Sequence, residues 1–339
     1  MSVSITDLRV FRDAHAASIN SLVITGTVGG WLASFLLMAR PEIALNVLGI
    51  LLCAQCMVWA AYLIHEAAHQ ALFVGARLNR VAGETASFIA GASYASFERI
   101  RWLHIRHHVD RADLVCFDYR AFIQRHPQLC RILQALEWAY IPATEVLMHL
   151  QVIWRPLFVK SQRAYLPRAL GMLVVRGVLL VLLAIWSLKA LLLYCVAYAL
   201  LLHVLNFFDC FHHSFENFTV VGDEPVPTSH RDRAYEQANT YTNLVSVRYP
   251  WLNVIILNFA YHNAHHHRAS HPWYRLPALH REMFGTASRN VLPMRALLAN
   301  WHRYRVARVT AADYGAPEPG AEAAAGFIGA HGVSFLTVI

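Results

Sequence analysis

Four apolar runs, each near the length needed to cross a bilayer, decide what this chain can fold into. They cover residues 18–38, 43–64, 170–186 and 190–208, and a transmembrane helix takes about 20 mainly apolar residues. Arg40 and Pro41 separate the first two and Lys189 lies between the last two, so the spacing predicts two helical hairpins. The third run carries Arg176, a charge that can snorkel or pair near a helix end. Composition agrees: 57% of the 339 residues are hydrophobic and 15% charged, against about 45–50% and about 25% in soluble domains. Soluble enzymes and disordered chains do not have this make-up.

The net charge of +8 would raise the question of nucleic acid in a soluble protein, but here the basic residues gather between the apolar runs. Of 29 Lys and Arg, 13 fall between Arg77 and Arg168 and 11 follow the fourth run. The positive-inside rule then puts the N-terminus, the middle segment and the C-terminal third on the cytoplasmic side, with the two hairpin turns outside. The first run lacks the short apolar core and cleavage site of a signal peptide and reads as a retained anchor. Cys53 and Cys56 form a C-x-x-C inside an apolar helix, where they read as packing residues. Residues 81–97 are too polar for a confident span and read as re-entrant or packed on the bundle, and 132–158 suits a helix along the interface. We expect one membrane domain over 1–310 and a flexible C-terminal tail over 311–339.

The chemistry lies in the histidines, of which there are 20. His65 and His69 (H-E-A-A-H) stand at i and i+4 at the end of the second run, on one helix face. His104, His107 and His108 (H-I-R-H-H) share a face, as do His262, His265 and His266 (H-N-A-H-H), and the fourth run ends with His212 and His213. All four sites fall on the same side of the membrane in this topology. His267 extends the last cluster, but only His265 and His266 keep i+3 and i+4 from His262. Eight or nine imidazoles exceed what one ion can hold, so two metals are expected. Attack on the C–H bonds of apolar chains demands a redox metal that activates oxygen, which favours iron over zinc. H-E-A-A-H is also the zinc-protease motif with Glu66 as base. Intramembrane proteases take a further ligand from an L-D-G stretch, and this chain contains no Asp-Gly pair. A protein that only stores or senses metal is a further alternative.

The three clusters, in this order between two apolar pairs, resemble the histidine boxes of the membrane fatty-acid desaturase family. H-P-W-Y-R-L-P-A-L from His271 and F-D-C-F-H-H-S-F-E ending at Glu216 resemble further segments of it. The resemblance implies an all-α integral membrane fold, with four transmembrane helices and a cytoplasmic helical cap carrying the boxes. It implies two iron ions in a non-haem centre held by His65, His69, His104, His107, His108, His213, His262, His265 and His266, with His212 as the alternative to His213. Such a centre uses O2 and two electrons to introduce a double bond into an acyl or lipid-like chain. A hydroxylase of the same architecture is the alternative. Glu66, Asp209 and Asn258 are candidates to orient ligating imidazoles through their distal N–H, and Trp102, Tyr94 and Trp251 to line a substrate tunnel. The chain shows no cytochrome domain and no ferredoxin-like cysteine cluster, so the electron donor is expected to be a separate ferredoxin, rubredoxin or b-type cytochrome with its reductase. A basic face suits docking of an acidic donor. No retention signal such as K-D-E-L is present, which leans toward a bacterial inner membrane over endoplasmic reticulum.

Overall fold

The computed structural model describes residues 10–13, 16–215, 218–221, 232–285, 290–315, 317 and 324–338. It is mostly helical, at 69%. Among the described residues, three helices are long and apolar enough to cross a membrane: α1 (Ala17–Ala39), α2 (Ile43–Ala68) and Lys160–Cys210, most of which is α8 (Leu166–Cys210).

Helices α1 and α2 run antiparallel in close contact. Gly26 lies against Trp59, and a Cβ on Gly30 would meet Cys56 Sγ at 2.7 Å. The turn between them is sealed by Asn46. Its Nδ2 donates to the carbonyls of Leu37 (3.1 Å), Met38 (3.2 Å) and Arg40 (2.8 Å). The last carbonyls of a helix have no partner within it, and in an apolar setting each would otherwise be costly. Cys53 and Cys56 are buried and unbridged, as expected of packing residues.

The third and fourth apolar runs form the 45-residue segment α8. Its helical backbone breaks at one residue, Ser187 (φ −160, ψ 100). Ser187 Oγ accepts from Ala190 N–H at 3.2 Å, the bond by which a serine caps the start of a helix. Arg176 and Leu180, before the break, line the same cavity of about 250 Å3 as Tyr194 and Tyr198 beyond it.

The middle segment is a set of shorter helices. Helix α3 (Ala76–Ala90) packs on α2 and ends at Gly91, whose φ of +88 and contact with the Tyr198 ring leave no room for a Cβ. Residues 81–97 are thus a packed helix followed by a turn. Helix α4 (Phe97–Asp110) is capped by Ser96. After it come a short strand β1 (Asp113–Val115), then α5 (Tyr119–Gln124), α6 (Pro127–Trp138) and α7 (Ala143–Phe158). The single interfacial helix expected over 132–158 is two helices. Glu137 at the end of α6 accepts from Thr144 N–H at 2.9 Å, and both it and Glu145 are buried. Strand β2 (Phe218–Val220) pairs parallel with β1, followed by α9 (Arg233–Ala238), α10 (His262–His267), α11 (Leu276–Phe284) and α12 (Met294–Tyr304).

The expectation of a flexible tail does not hold for residues 324–338. Phe327, Ala330, His331, Leu336 and Val338 are all almost fully buried. The backbone is tied down as well: Ala330 N–H donates to the Cys210 carbonyl (2.9 Å), and Gln151 Nε2 donates to that of Thr337 (3.0 Å). The Gly-, Pro- and Ala-rich stretch before it suggested a loose end, but the apolar residues after it find the core.

Candidate metal centre

Helix geometry brings the histidines together. His65 and His69 end α2, and His104, His107 and His108 line α4. His213 follows α8, and His262, His265 and His266 lie on α10. Before α10 the backbone reverses sharply at Leu257 (φ +45) and Asn258 (φ +56), turning α10 so that its histidines face those of α2 and α4.

These residues form two sets. His65, His69, His104, His108 and His265 make the first, and His107, His213, His262 and His266 the second; within each, ligand-capable atoms lie within 4.8 Å of one another. Nitrogens meet at 2.7 Å for His69 and His104, 3.2 Å for His104 and His108, 3.0 Å for His108 and His265, and 3.0 Å for His265 and His65. In the second set His213 Nε2 lies 3.2 Å from His107 Nε2 and 2.9 Å from His262 Nε2. Several of these nitrogens face two others at once, whereas a ring nitrogen offers one proton or one lone pair. A cation at the centre of each set satisfies all of them. Metal–nitrogen bonds of about 2.1 Å put adjacent ligand atoms about 3.0–3.4 Å apart, close to the spacing seen.

Burial favours the neutral form of eight of the nine rings, the form a ligand must take. Loss of hydration, reinforced by neighbouring imidazoles, holds His69, His104, His108, His213, His262 and His265 well below the usual histidine range. The same burial brings His107 down to about 3.

The outer hydrogen bonds differ between the sets. His107 Nδ1 donates to the Ala112 carbonyl at 2.8 Å, His213 Nδ1 lies 3.3 Å from Thr240 Oγ1, and His266 Nδ1 lies 2.9 Å from Glu236 Oε1. Each frees the other nitrogen to face its set, and His266 Nε2 is buried with no protein partner. Glu236 also accepts from Arg111 Nε at 3.1 Å. Burial would raise its carboxyl, but His266 and Arg111 outweigh that and lower it. The distal nitrogens of His65, His108 and His265 in the first set, and of His262 in the second, have no hydrogen-bond partner.

Other sequence candidates stand apart. His212 Nε2 is engaged by Asn243 Oδ1 at 3.0 Å, and its ring stacks on His262, so it belongs to neither set. His267 also lies outside both. Glu66 Oε1 is 3.4 Å from His65 Nδ1, while its Oε2 accepts from Trp273 N–H at 3.1 Å. Asp209 lies in the cavity wall beside His213 with one carboxylate oxygen buried and unpaired. Asn258 donates to the Trp273 carbonyl at 3.2 Å and serves the turn before α10. Trp102 and Trp251 are exposed, and Tyr94 lines the cavity beside Arg176. Glu236, Thr240 and the Ala112 carbonyl escaped the sequence reading, because nothing in their spacing ties them to a histidine.

A cavity of about 50 Å3 opens between the sets, with His104 of the first and His107, His213 and His262 of the second in its wall. Leu103, Leu114, Phe259, Val333 and Phe335 supply its apolar surface. Asp113 lies there too, its buried carboxyl raised to about 7 by loss of hydration.

A comparison with protein families matches residues 42–298 to the model described as fatty acid desaturase. No curated protein matches the chain. The family match spans most of the sequence and contains all nine clustered histidines, and the chain belongs to the fatty acid desaturase family.

Proposed function

We propose that this chain is a membrane desaturase whose two histidine sets each hold one iron ion. The observation that carries this is the five-plus-four grouping of buried and part-buried imidazoles, four of which line one cavity. His65, His69, His104, His108 and His265 would hold one ion, and His107, His213, His262 and His266 the other. When bound, the pair supplies the redox chemistry that couples O2 and two electrons to removal of two hydrogens from an acyl chain.

The protein's own groups have distinct tasks. The Ala112 carbonyl and Glu236 fix the tautomers of His107 and His266, leaving Nε2 of each as the ligand atom. Glu236 also makes His266 a stronger donor. Leu103, Leu114, Phe259, Val333 and Phe335 exclude water and offer an apolar bed for the chain. Asp113, raised to about 7, holds a proton at the cavity wall near neutral pH. Glu66 makes no hydrogen bond with His65 Nδ1, 3.4 Å away, and, like Asp209, takes a supporting place.

We further propose four membrane crossings in two hairpins, with the histidines on the cytoplasmic side. The capped break at Ser187 and the cavity shared by Arg176 and Tyr198 support a turn between the third and fourth. Thirteen of the 29 basic residues lie between Arg77 and Arg168, in the segment that includes α4, and they would suit an acidic electron donor. The described residues up to 310, together with the packed segment 324–338, would form one unit. The protease reading is not supported, since His65 and His69 share their set with three more imidazoles and the Glu66 carboxylate is buried and tied to Trp273.

The test is metal analysis of detergent-purified protein loaded with iron and zinc, followed by product mass spectrometry with a reducing partner. About two irons per chain and a product lighter by two hydrogens are expected. Addition of one oxygen would make the enzyme a hydroxylase, and one zinc without iron would overturn the proposal.

A further inference from the structure

The family match ends at residue 298, yet two side chains beyond it bound the cavity at the metal centre. Val333 and Phe335 line the wall with His104, His107 and His213. The Phe335 ring centroid lies 5.7 Å from that of His104 and 6.3 Å from that of His65, so it stands beside the first set.

This position is built. Gly329 (φ +85) and Gly332 (φ +71) let the chain turn against Cys210 and Tyr119, where a Cβ would meet the Cys210 carbonyl at 2.7 Å and the Tyr119 ring at 3.0 Å. Gly332 N–H donates to Glu145 Oε1 at 3.2 Å, and Arg308 Nε donates to the Ile328 carbonyl at 2.7 Å. Helix α7, the end of α8 and the segment after α12 thus all fix this piece of chain. Such anchoring of a stretch that holds no clustered histidine calls for a task at the cavity itself.

We propose that residues 329–338 are the specificity-determining wall of the substrate cavity, and that the bulk of Phe335 limits the length of acyl chain that fits. This rests on the desaturase reading of the site. The cavity is small, about 50 Å3, and Phe335 and Phe259 are the two phenylalanine rings among the twelve residues that line it. Removing the Phe335 ring admits more chain, at roughly 4-fold in affinity per additional buried methylene.

The experiment measures binding of a homologous series of saturated fatty acids to the full-length protein in detergent, stripped of metal, by displacement of a fluorescent fatty acid. Iron loading of each variant is measured in parallel. Phe335→Ala is expected to move the preferred length upward by one or more methylenes, and Phe335→Trp to move it downward. Phe335→Leu, the mildest change, should move it upward by less, and all three should load iron as the wild type does. An unchanged length preference in the three variants with normal iron loading overturns the wall and leaves the desaturase reading standing. Loss of iron in Phe335→Leu also overturns it, because the segment would then support the metal centre instead of shaping the cavity. If the wild type binds neither fatty acid nor iron, the desaturase reading falls and the wall with it.

Discussion

The two histidine sets are built by different means. In the first, five imidazoles are positioned mainly by the helices that carry them, and the distal nitrogens of His65, His108 and His265 have no hydrogen-bond partner. In the second, three of the four imidazoles are held also from behind, by a backbone carbonyl, a threonine and a carboxylate, while His262 Nδ1 has no such partner. Three of those four line the cavity, against one of the first five. Six-coordinate metals leave fewer positions open beside five protein ligands than beside four. On the di-iron reading, the second set would therefore be the more open toward substrate, and more of its rings are oriented by outer hydrogen bonds.

The largest effect that would break this comparison comes from removing one ligand of each set in separate variants. His265→Ala and His107→Ala are each expected to lower iron from about two per chain to about one and to abolish product, as read by elemental analysis and mass spectrometry. Loss of both ions in either variant would mean that the sets are one site. Next comes the outer support. Glu236→Gln is expected to weaken iron binding or activity about 10–100-fold, measured by metal titration, whereas Glu66→Gln should leave metal content at the wild-type level. Equal losses in the two would erase the distinction drawn between the sets.

A smaller effect is expected from acid. His107 has its folded value lowered from 6.5 to about 3 by burial, so below about pH 6.5 the unfolded chain binds protons that the folded chain refuses. Stability of the metal-free protein should therefore fall as pH drops from 7 to 5, seen as a lower Tm in detergent. An unchanged Tm over that range would mean that these rings are hydrated when empty. The smallest effect is expected of His212→Gln, which should retain iron while His213→Gln loses it, because Asn243 already engages His212.

Much of the centre is legible in the sequence because helical spacing translates directly into a shared face. His104, His107 and His108 need only α4 to be a helix, although His107 then parts from the other two into the second set. That split depends on how α4 lies against α10, which no local pattern encodes. The choice of His213 over His212 rests on Asn243, 31 positions further on, and Glu236 meets His266 across 30. The junction of the third and fourth runs was visible as a polar interruption near Lys189, while the break itself falls at Ser187, where the hydroxyl caps the following helix. The tail misled because its polar, small-residue start outweighed the apolar stretch after it. Phe327, Val333, Phe335, Leu336 and Val338 were a core signal present in the letters.

The meeting of His65 with His265 joins residues 200 positions apart. A single ion gripping both would act on the chain as a crosslink does, closing a very long loop whose free ends are costly to bring together. By loop-closure entropy such a tie is worth on the order of 5 kcal/mol, a sizeable share of the stability of an ordinary domain. On the desaturase reading, iron supply then sets the lifetime of the protein as well as its rate of turnover: a chain made in iron-poor cells would be both idle and the first to be degraded.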